Sequence, residues 1–151
     1  MVEEAATDII AAAQARGIAE PWTHSSFIDS VAELQRQRLA RASRQPDDVQ
    51  FHDRSPVCTV ALAAYLDHPI SATLARELER IKIDKIYEPR VFFVRSLGFV
   101  TPSDARKISF EEAIRFERIH EKVYGTFGFE LCPVEPRNFL DRVRLIKSAL
   151  P

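Results

Sequence analysis

Glycine is scarce in this 151-residue chain, which contains only Gly17, Gly98, Gly125 and Gly128. None of the four is followed by Lys. The G-x-x-x-x-G-K-[ST] loop, whose backbone N–H groups cradle nucleotide phosphates, is therefore absent from these residues. Any nucleotide-binding function has to be argued from other parts of the chain.

Cysteine and long apolar runs are also scarce. Cys58 and Cys132 form no C-x-x-C pair, which excludes a disulfide framework and a structural zinc site of the usual spacing. The acidic start at Met1–Glu4 differs from a signal peptide, and no apolar run approaches the roughly 18 residues that span a bilayer. We expect a soluble protein in a reduced, cytoplasmic setting, with no membrane partner.

An excess of charge of one sign is missing as well. The chain has 21 basic and 22 acidic residues, a net charge of -1, so we expect no nucleic-acid partner. The arginines from Arg36 to Arg44 lack interleaved aromatic residues and are typical of a solvated helix face. With 46% hydrophobic residues, the length fits a single domain over residues 1–151.

Hydrophobic periodicity and turn residues predict helices that alternate with short strands. Such alternation favours an α/β domain with a parallel sheet. The run Arg90–Val94 is apolar on both sides, as in a strand buried on both faces. The predicted helices are 3–16, 26–44 capped by Ser25 or Ser26, 55–66 with Pro56 first, 71–86 capped by Ser71, 109–125 with a Ser109/Glu112 capping box, and 136–150; the predicted strands are 49–52, 90–94 and 129–132.

Asp53 and Arg54 are the most informative pair, because they follow a predicted strand and precede a predicted helix. In an open α/β sheet, ligands collect at the carboxyl ends of strands. A carboxylate there can hold Mg²⁺ or accept a hydroxyl proton, and a guanidinium can grip a phosphate. Equally, Asp53 can cap the following helix while Arg54 makes a surface ion pair. His52 is interpreted as a packed or partly exposed strand residue and not as a catalyst.

Other charged residues have two interpretations each. Arg106 and Lys107 can lie on a lid over phosphates or form a solvated helix start. Arg95 follows the Arg90–Val94 strand and can bind a ligand or pair with a loop acid. Glu4 favours the positive end of the first helix dipole, and a substrate role would need a preceding strand. Cys58 is interpreted as a core residue.

Four ordered segments carry a family resemblance, and together they run over essentially the whole chain. The segments are Asp53-Arg54-Ser55 before Pro56-Val57-Cys58-Thr59, Tyr87-Glu88-Pro89-Arg90-Val91-Phe92-Phe93, Ala105-Arg106-Lys107-Ile108-Ser109-Phe110-Glu111-Glu112-Ala113, and Phe127-Gly128-Phe129-Glu130-Leu131. In this order they resemble the AAA-like ATPases and kinases of the P-loop superfamily, relatives in architecture of deoxynucleoside kinases.

The resemblance implies a three-layer, P-loop-kinase-like parallel sheet flanked by helices. Asp53 would be the carboxylate beside the phosphates, holding Mg²⁺ or acting as base for an acceptor hydroxyl, and Arg54 would contact acceptor or phosphate. Arg106 would be the lid cation, with Lys107 where a second Arg is usual; Arg95 and Arg106 would contact the nucleotide. Glu4 would match the acid after the family's second strand, on the acceptor side.

The chain departs from the family pattern at its front. Family members begin with a strand, the glycine-rich loop, its helix and a second strand, whereas this sequence begins where that second strand would end. The missing first strand would leave a gap between the strands at 49–52 and 90–94, where unpaired backbone groups cost about 1–3 kcal/mol each. The flanking strands could close up, another chain could fill the gap, or the true start could lie upstream, which we favour.

The expected function is therefore that of a truncated P-loop ATPase or kinase. Its full-length form would bind Mg-ATP and transfer the terminal phosphate to an unidentified small-molecule acceptor or hydrolyse it, whereas this chain would bind nucleotide weakly or not at all. A second hypothesis is a non-catalytic interaction or regulatory module on a degenerate kinase-like scaffold, with a protein partner or self-association. An α/β-hydrolase-like domain is disfavoured, because G-x-S-x-G is absent.

Overall fold

The computed structural model describes residues 1–44, 49–98 and 108–150. Its chain contacts divide it into two compact units, Met1–Ile86 and Tyr87–Pro151, called here the N-terminal and C-terminal units. It is a mixed α/β structure with a two-stranded parallel sheet flanked by helices. A single domain over residues 1–151 stays a prediction.

Within the described residues, the regular structure of the N-terminal unit is helical apart from one isolated β-bridge. Its α-helices are α1 (Ala6–Gln14), α2 (Ser26–Ala42), α3 (Pro56–Tyr65) and α4 (Ala72–Ile83), and a 3₁₀ turn covers Pro21–Thr23. The predicted strand at 49–52 is wrong in extent, because only His52 forms a β-bridge. Its neighbours Val49 and Phe51 are exposed, so the apolar residues of this segment are not buried as a strand face.

The core of the N-terminal unit lies where α2 meets α3 and α4. Ile28 of α2, Val57 of α3 and Leu74 of α4 are completely buried. Burying each such side chain stabilises the fold by about 1.5–3 kcal/mol. Ala61 and Ala63 are also fully buried, and their small side chains allow close packing of α3.

The helix starts follow local sequence chemistry in most cases. Pro56 opens α3 as predicted. The hydroxyl of Ser71 accepts from Leu74 N at 3.1 Å, and Ser109 and Glu112 form the predicted capping box. Ser25 precedes α2 in a helical conformation without a side-chain cap bond, so the predicted serine cap is wrong there.

The C-terminal unit contains the parallel strand pair. Strand β1 (Arg90–Val94) pairs with β2 (Glu130–Val134) in register Arg90↔Glu130 through Val94↔Val134. They are connected through α5 (Phe110–Thr126), and α6 (Phe139–Ser148) follows β2, each helix contacting β2. The prediction of parallel strands is confirmed here, and β1 has the predicted bounds.

The burial predicted for β1 is wrong. Phe93 is buried, but Val94 is 50% exposed. Among the described residues β1 pairs only with β2, so it is not an interior strand covered on both faces. The prediction for β2, residues 129–132, misses its start and end, and the last helix begins at Phe139 instead of Pro136.

Candidate functional site

The isolated bridge between Val2 and His52 is the structural basis of the candidate site. Val2 N donates to Phe51 O at 2.7 Å, and Asp53 N donates to Val2 O at 2.8 Å. The segments around Val2 and His52 run parallel, so the residues that follow Val2 and those that follow His52 lie at the same edge of this pairing. Glu4 and the pair Asp53–Arg54 are brought together in this way.

Glu4 faces Arg54 across that edge. Arg54 Nε lies 3.9 Å from Glu4 Oε1, a loose ion pair in which the side chains are 41% and 33% exposed. The sequence predicts no strand before Glu4, yet Val2 supplies a strand-like pairing there. The juxtaposition depends on residues about fifty positions apart, and periodicity carries no signal for it.

Arg54 adopts an uncommon backbone conformation, with φ at 73°. A residue other than glycine in this left-handed region costs about 1–3 kcal/mol, and such residues cluster at ligand sites. Burial lowers the pKa of the Arg54 guanidinium, but Cys58, Glu4 and Asp53 act in the opposite direction and leave that pKa raised overall. The guanidinium is thus a permanent cation with anionic or polarisable neighbours on several sides.

Asp53 is exposed and is not the cap of α3. Ser55 occupies the N-cap position with extended backbone, so the helix-cap interpretation of Asp53 is wrong. The Asp53 carboxylate makes no hydrogen bond or ion pair with any residue in the described part of the chain. Its oxygens are accessible for a ligand.

Two residues that sequence reasoning missed hold Glu4 in place. Thr7 Oγ1 donates to Glu4 Oε2 at 2.8 Å. Arg38 on α2 donates to Glu3 O at 2.9 Å and to Glu4 O at 2.5 Å, and it also pairs with Asp8. Thr7 stands three residues after Glu4, a spacing that could have been noticed, whereas the reach of Arg38 from another helix could not.

Arg95 is in the C-terminal unit and is surrounded by carboxylates. Its Nη1 lies 3.0 Å from Glu117 Oε1 and 2.6 Å from Glu121 Oε1. The guanidinium also stacks 5.0 Å from the Phe93 ring centroid. Hydrogen bonds to Glu117 and then Glu121 raise the pKa of Arg95. The acids that pair with Arg95 are on α5 and not on a loop, and its nucleotide-binding role stays a prediction.

Of the other residues singled out in the sequence, the structure describes Cys58 and His52 but not Arg106 and Lys107. Arg106 and Lys107 lie outside the described residues, so their lid role stays a prediction. Cys58 is buried among core residues, as expected. His52 is half-buried in the bridge, and burial, followed by the charge of the amino terminus, lowers its pKa.

The donor chemistry at this edge fits Mg²⁺ only in part. Among the described residues no group of three or more His, Cys, Asp or Glu side chains could hold a metal ion. Mg²⁺ commonly takes one or two carboxylates and fills its other positions with phosphate oxygens and water. Asp53 can supply such a carboxylate, whereas no phosphate-cradling loop exists in the sequence given.

Comparison with known proteins gives a family assignment. A family model described as an AAA domain matches residues 1–142. No curated protein and no solved structure matches the chain. Within the described residues, no helix has the length and apolar character needed to cross a membrane. The match covers most of the chain and supports a P-loop NTPase with a nucleotide-binding, ATPase-like function, so this chain belongs to the AAA domain family.

Proposed function

We propose that the chain is the larger part of a P-loop ATPase or kinase whose full-length form binds Mg-ATP and transfers or hydrolyses the terminal phosphate. The observation that carries the proposal is the convergence of Glu4, Asp53 and Arg54 at the end of a parallel bridge. Ligands of α/β proteins collect at such edges. Membership of the AAA domain family supports the nucleotide as the ligand.

The three side chains suit three complementary tasks. Asp53 would hold the Mg²⁺ of Mg-ATP, which when bound would offset phosphate charge, or would accept the proton of an acceptor hydroxyl. Arg54 would donate to a phosphate or acceptor oxygen. Glu4, whose second oxygen is held by Thr7, would orient Arg54 and face the small-molecule acceptor.

Three further cations complete the proposal. Arg106 would be the lid cation that stabilises charge on the transferred group, with Lys107 beside it. Arg95 would contact the nucleotide after releasing at least one of its carboxylate partners. Because Arg95 Nη1 meets both Glu117 and Glu121, we expect its contribution to nucleotide affinity to be smaller than that of Arg54.

The 151-residue chain itself should bind Mg-ATP weakly or not at all. It lacks the loop, the Lys and the hydroxyl that normally hold the phosphates and Mg²⁺. Calorimetric titration of residues 1–151 with Mg-ATP should therefore give no micromolar binding. A micromolar Kd would contradict the proposed need for an upstream phosphate loop.

The catalytic part of the proposal is tested on the protein isolated from its native source. Its intact mass should exceed the 17.2 kDa of residues 1–151, and it should turn over Mg-ATP. Asp53→Asn, which keeps the shape and removes the charge, should lower turnover by about a hundredfold or more. Arg41→Ala, on the exposed end of α2, is the matched control and should leave turnover unchanged. Equal turnover in the Asp53→Asn variant would overturn the assignment.

A second candidate function, an interaction or regulatory module, is favoured by the surface of α6. All of α6 is described, and none of its residues is buried. Phe139 and Leu140 are 73% and 61% exposed, and exposed apolar side chains that lie together are typical of an interaction surface. Light scattering of the native protein distinguishes the two: a stable assembly without ATP turnover would support the module.

A further inference from the structure

A charged groove between α2 and α4 is independent of the Glu4–Asp53–Arg54 site. Its volume is about 360 Å³, and it lies within the N-terminal unit. The groove is about half open to solvent, so a ligand bound in it stays partly exposed. Its lining consists of Glu33, Arg36, Thr73, Arg76, Glu77 and Arg80.

Two of the three arginines are held by carboxylates of their own helix. Arg36 donates to Glu33 through Nε at 2.9 Å and Nη2 at 2.7 Å. Arg80 donates to Glu77 through Nε at 2.9 Å and Nη2 at 2.5 Å. Such paired bonds fix the plane of a guanidinium. The walls of the groove therefore present preoriented cationic groups instead of freely rotating side chains.

Arg76 adds a third positive charge to the lining, close enough to Glu33 to help lower the pKa of that carboxyl. It makes no hydrogen bond or ion pair with any residue that the structure describes, and its side chain is exposed. The lining carries three guanidinium groups and two carboxylates, which leaves one positive charge. Thr73 precedes Arg76 by three residues on α4, so both lie on the same helix face, and the hydroxyl adds a neutral donor.

We propose that the α2–α4 groove binds a small oxyanion, with a phosphate monoester as its representative ligand. Arg76 and Thr73 would contact the anion directly, while Arg36 and Arg80, whose charges are offset by Glu33 and Glu77, would line the groove with guanidinium groups of fixed orientation. A dianionic phosphate gains more from several guanidinium groups than a carboxylate with one charge does. One net positive charge in a short, open groove suits a small ligand better than a nucleic-acid backbone, which needs a series of cations.

The test is a titration of residues 1–151 with inorganic phosphate, followed by amide chemical shifts at constant ionic strength. Saturable shifts should map to the segments that line the groove on α2 and α4. Acetate at the same ionic strength should give shifts at least about tenfold weaker in apparent affinity. Equal responses to phosphate and acetate, or shifts without saturation, would overturn the proposal.

Three variants separate this groove from other phosphate-binding surfaces. Arg76→Ala should weaken phosphate affinity about tenfold, with an unchanged far-UV spectrum because the side chain is exposed. Arg41→Ala removes a matched exposed arginine from α2 and should leave affinity unchanged. Arg54→Ala reports on the proposed nucleotide site. If Arg54→Ala loses phosphate affinity and Arg76→Ala keeps it, the groove proposal is overturned and the proposed function is not affected.

Discussion

Arg54 and Arg95 occupy similar places in the sequence pattern, each within two residues of the end of a predicted strand, but their surroundings differ. Arg95 contacts two carboxylates on α5 and the face of Phe93. Arg54 has one carboxylate at 3.9 Å, a hydrogen bond to the Cys58 side chain and a left-handed backbone. A position at a strand end therefore does not by itself create a ligand site. The two arginines differ in how many carboxylates they pair with: Arg95 meets two at hydrogen-bonding distance, and Arg54 meets one at a longer distance.

The largest difference between the two arginines should appear on truncation to alanine. Arg95→Ala removes bonds to Glu117 and Glu121 and leaves these carboxylates, four residues apart on α5, without their shared cation. We expect a loss of about 2 kcal/mol of stability in the C-terminal unit, measured as faster amide exchange in β1 and β2. Arg54→Ala should cost about 1 kcal/mol, because it loses a loose, partly exposed ion pair with Glu4 and one hydrogen bond to Cys58. Equal losses of stability in the Arg95→Ala and Arg54→Ala variants would contradict the difference drawn between the two arginines.

The Arg38→Ala variant tests whether Arg38 holds the backbone at Glu3 and Glu4 in place. Arg38→Ala removes donors to two backbone carbonyls and to Asp8 from a side chain that is only 17% exposed. We expect a cost of about 1.5–2 kcal/mol and faster exchange of the Val2 and Asp53 amides, which form the bridge. Arg41→Ala on the same helix serves as a control and should be nearly neutral. Unchanged exchange at the bridge would show that Arg38 does not hold this edge.

These cases show which parts of the molecule local sequence can predict. The start of α4 at Ser71, the Ser109/Glu112 capping box and the strand Arg90–Val94 were predictable, because each depends on residues within one turn or one strand. Local sequence also places Pro56 correctly at the start of α3.

The contacts that build the candidate site have a different origin. The Val2–His52 bridge joins residues separated by α1 and α2, and Arg38 reaches the carbonyls of Glu3 and Glu4 from another helix. No periodicity or capping rule encodes either contact. The positions of Asp53 and Arg54 could thus be chosen from the sequence, whereas their approach to Glu4 required the fold.

Two substitutions at Arg54 separate the effect of its backbone conformation on stability from the effect of its charge. Arg54→Gly and Arg54→Ala both remove the guanidinium, but only glycine adopts a φ of 73° without steric cost. We expect the glycine variant to be more stable than the alanine variant by about 1 kcal/mol in denaturant unfolding. Equal stability would mean that the strain at this position is relieved elsewhere.

Arg36 provides a third arginine environment. Like Arg95 it pairs with a carboxylate, that of Glu33, but it lies on an exposed helix face. Hydrogen bonds from Arg36, and then from Gln37, lower the pKa of Glu33 from 4.5 to about 2. A carboxylate whose pKa is lower in the folded state stabilises the fold above its unfolded pKa and loses this effect as the pH falls. The stabilisation should thus be complete above about pH 5 and should disappear between pH 4.5 and about 2.

The size of this effect is limited by solvent. The Glu33 side chain is 41% exposed, so screening reduces the contribution to at most about 1 kcal/mol. The measurement is the difference in unfolding free energy between the parent chain and Glu33→Gln, which should shrink as the pH falls from 5 to 2. A difference independent of pH would assign the pair to packing instead of charge. Arg36 would then be held without an ionic contribution, which would also weaken the case for an electrostatically preoriented α2–α4 groove.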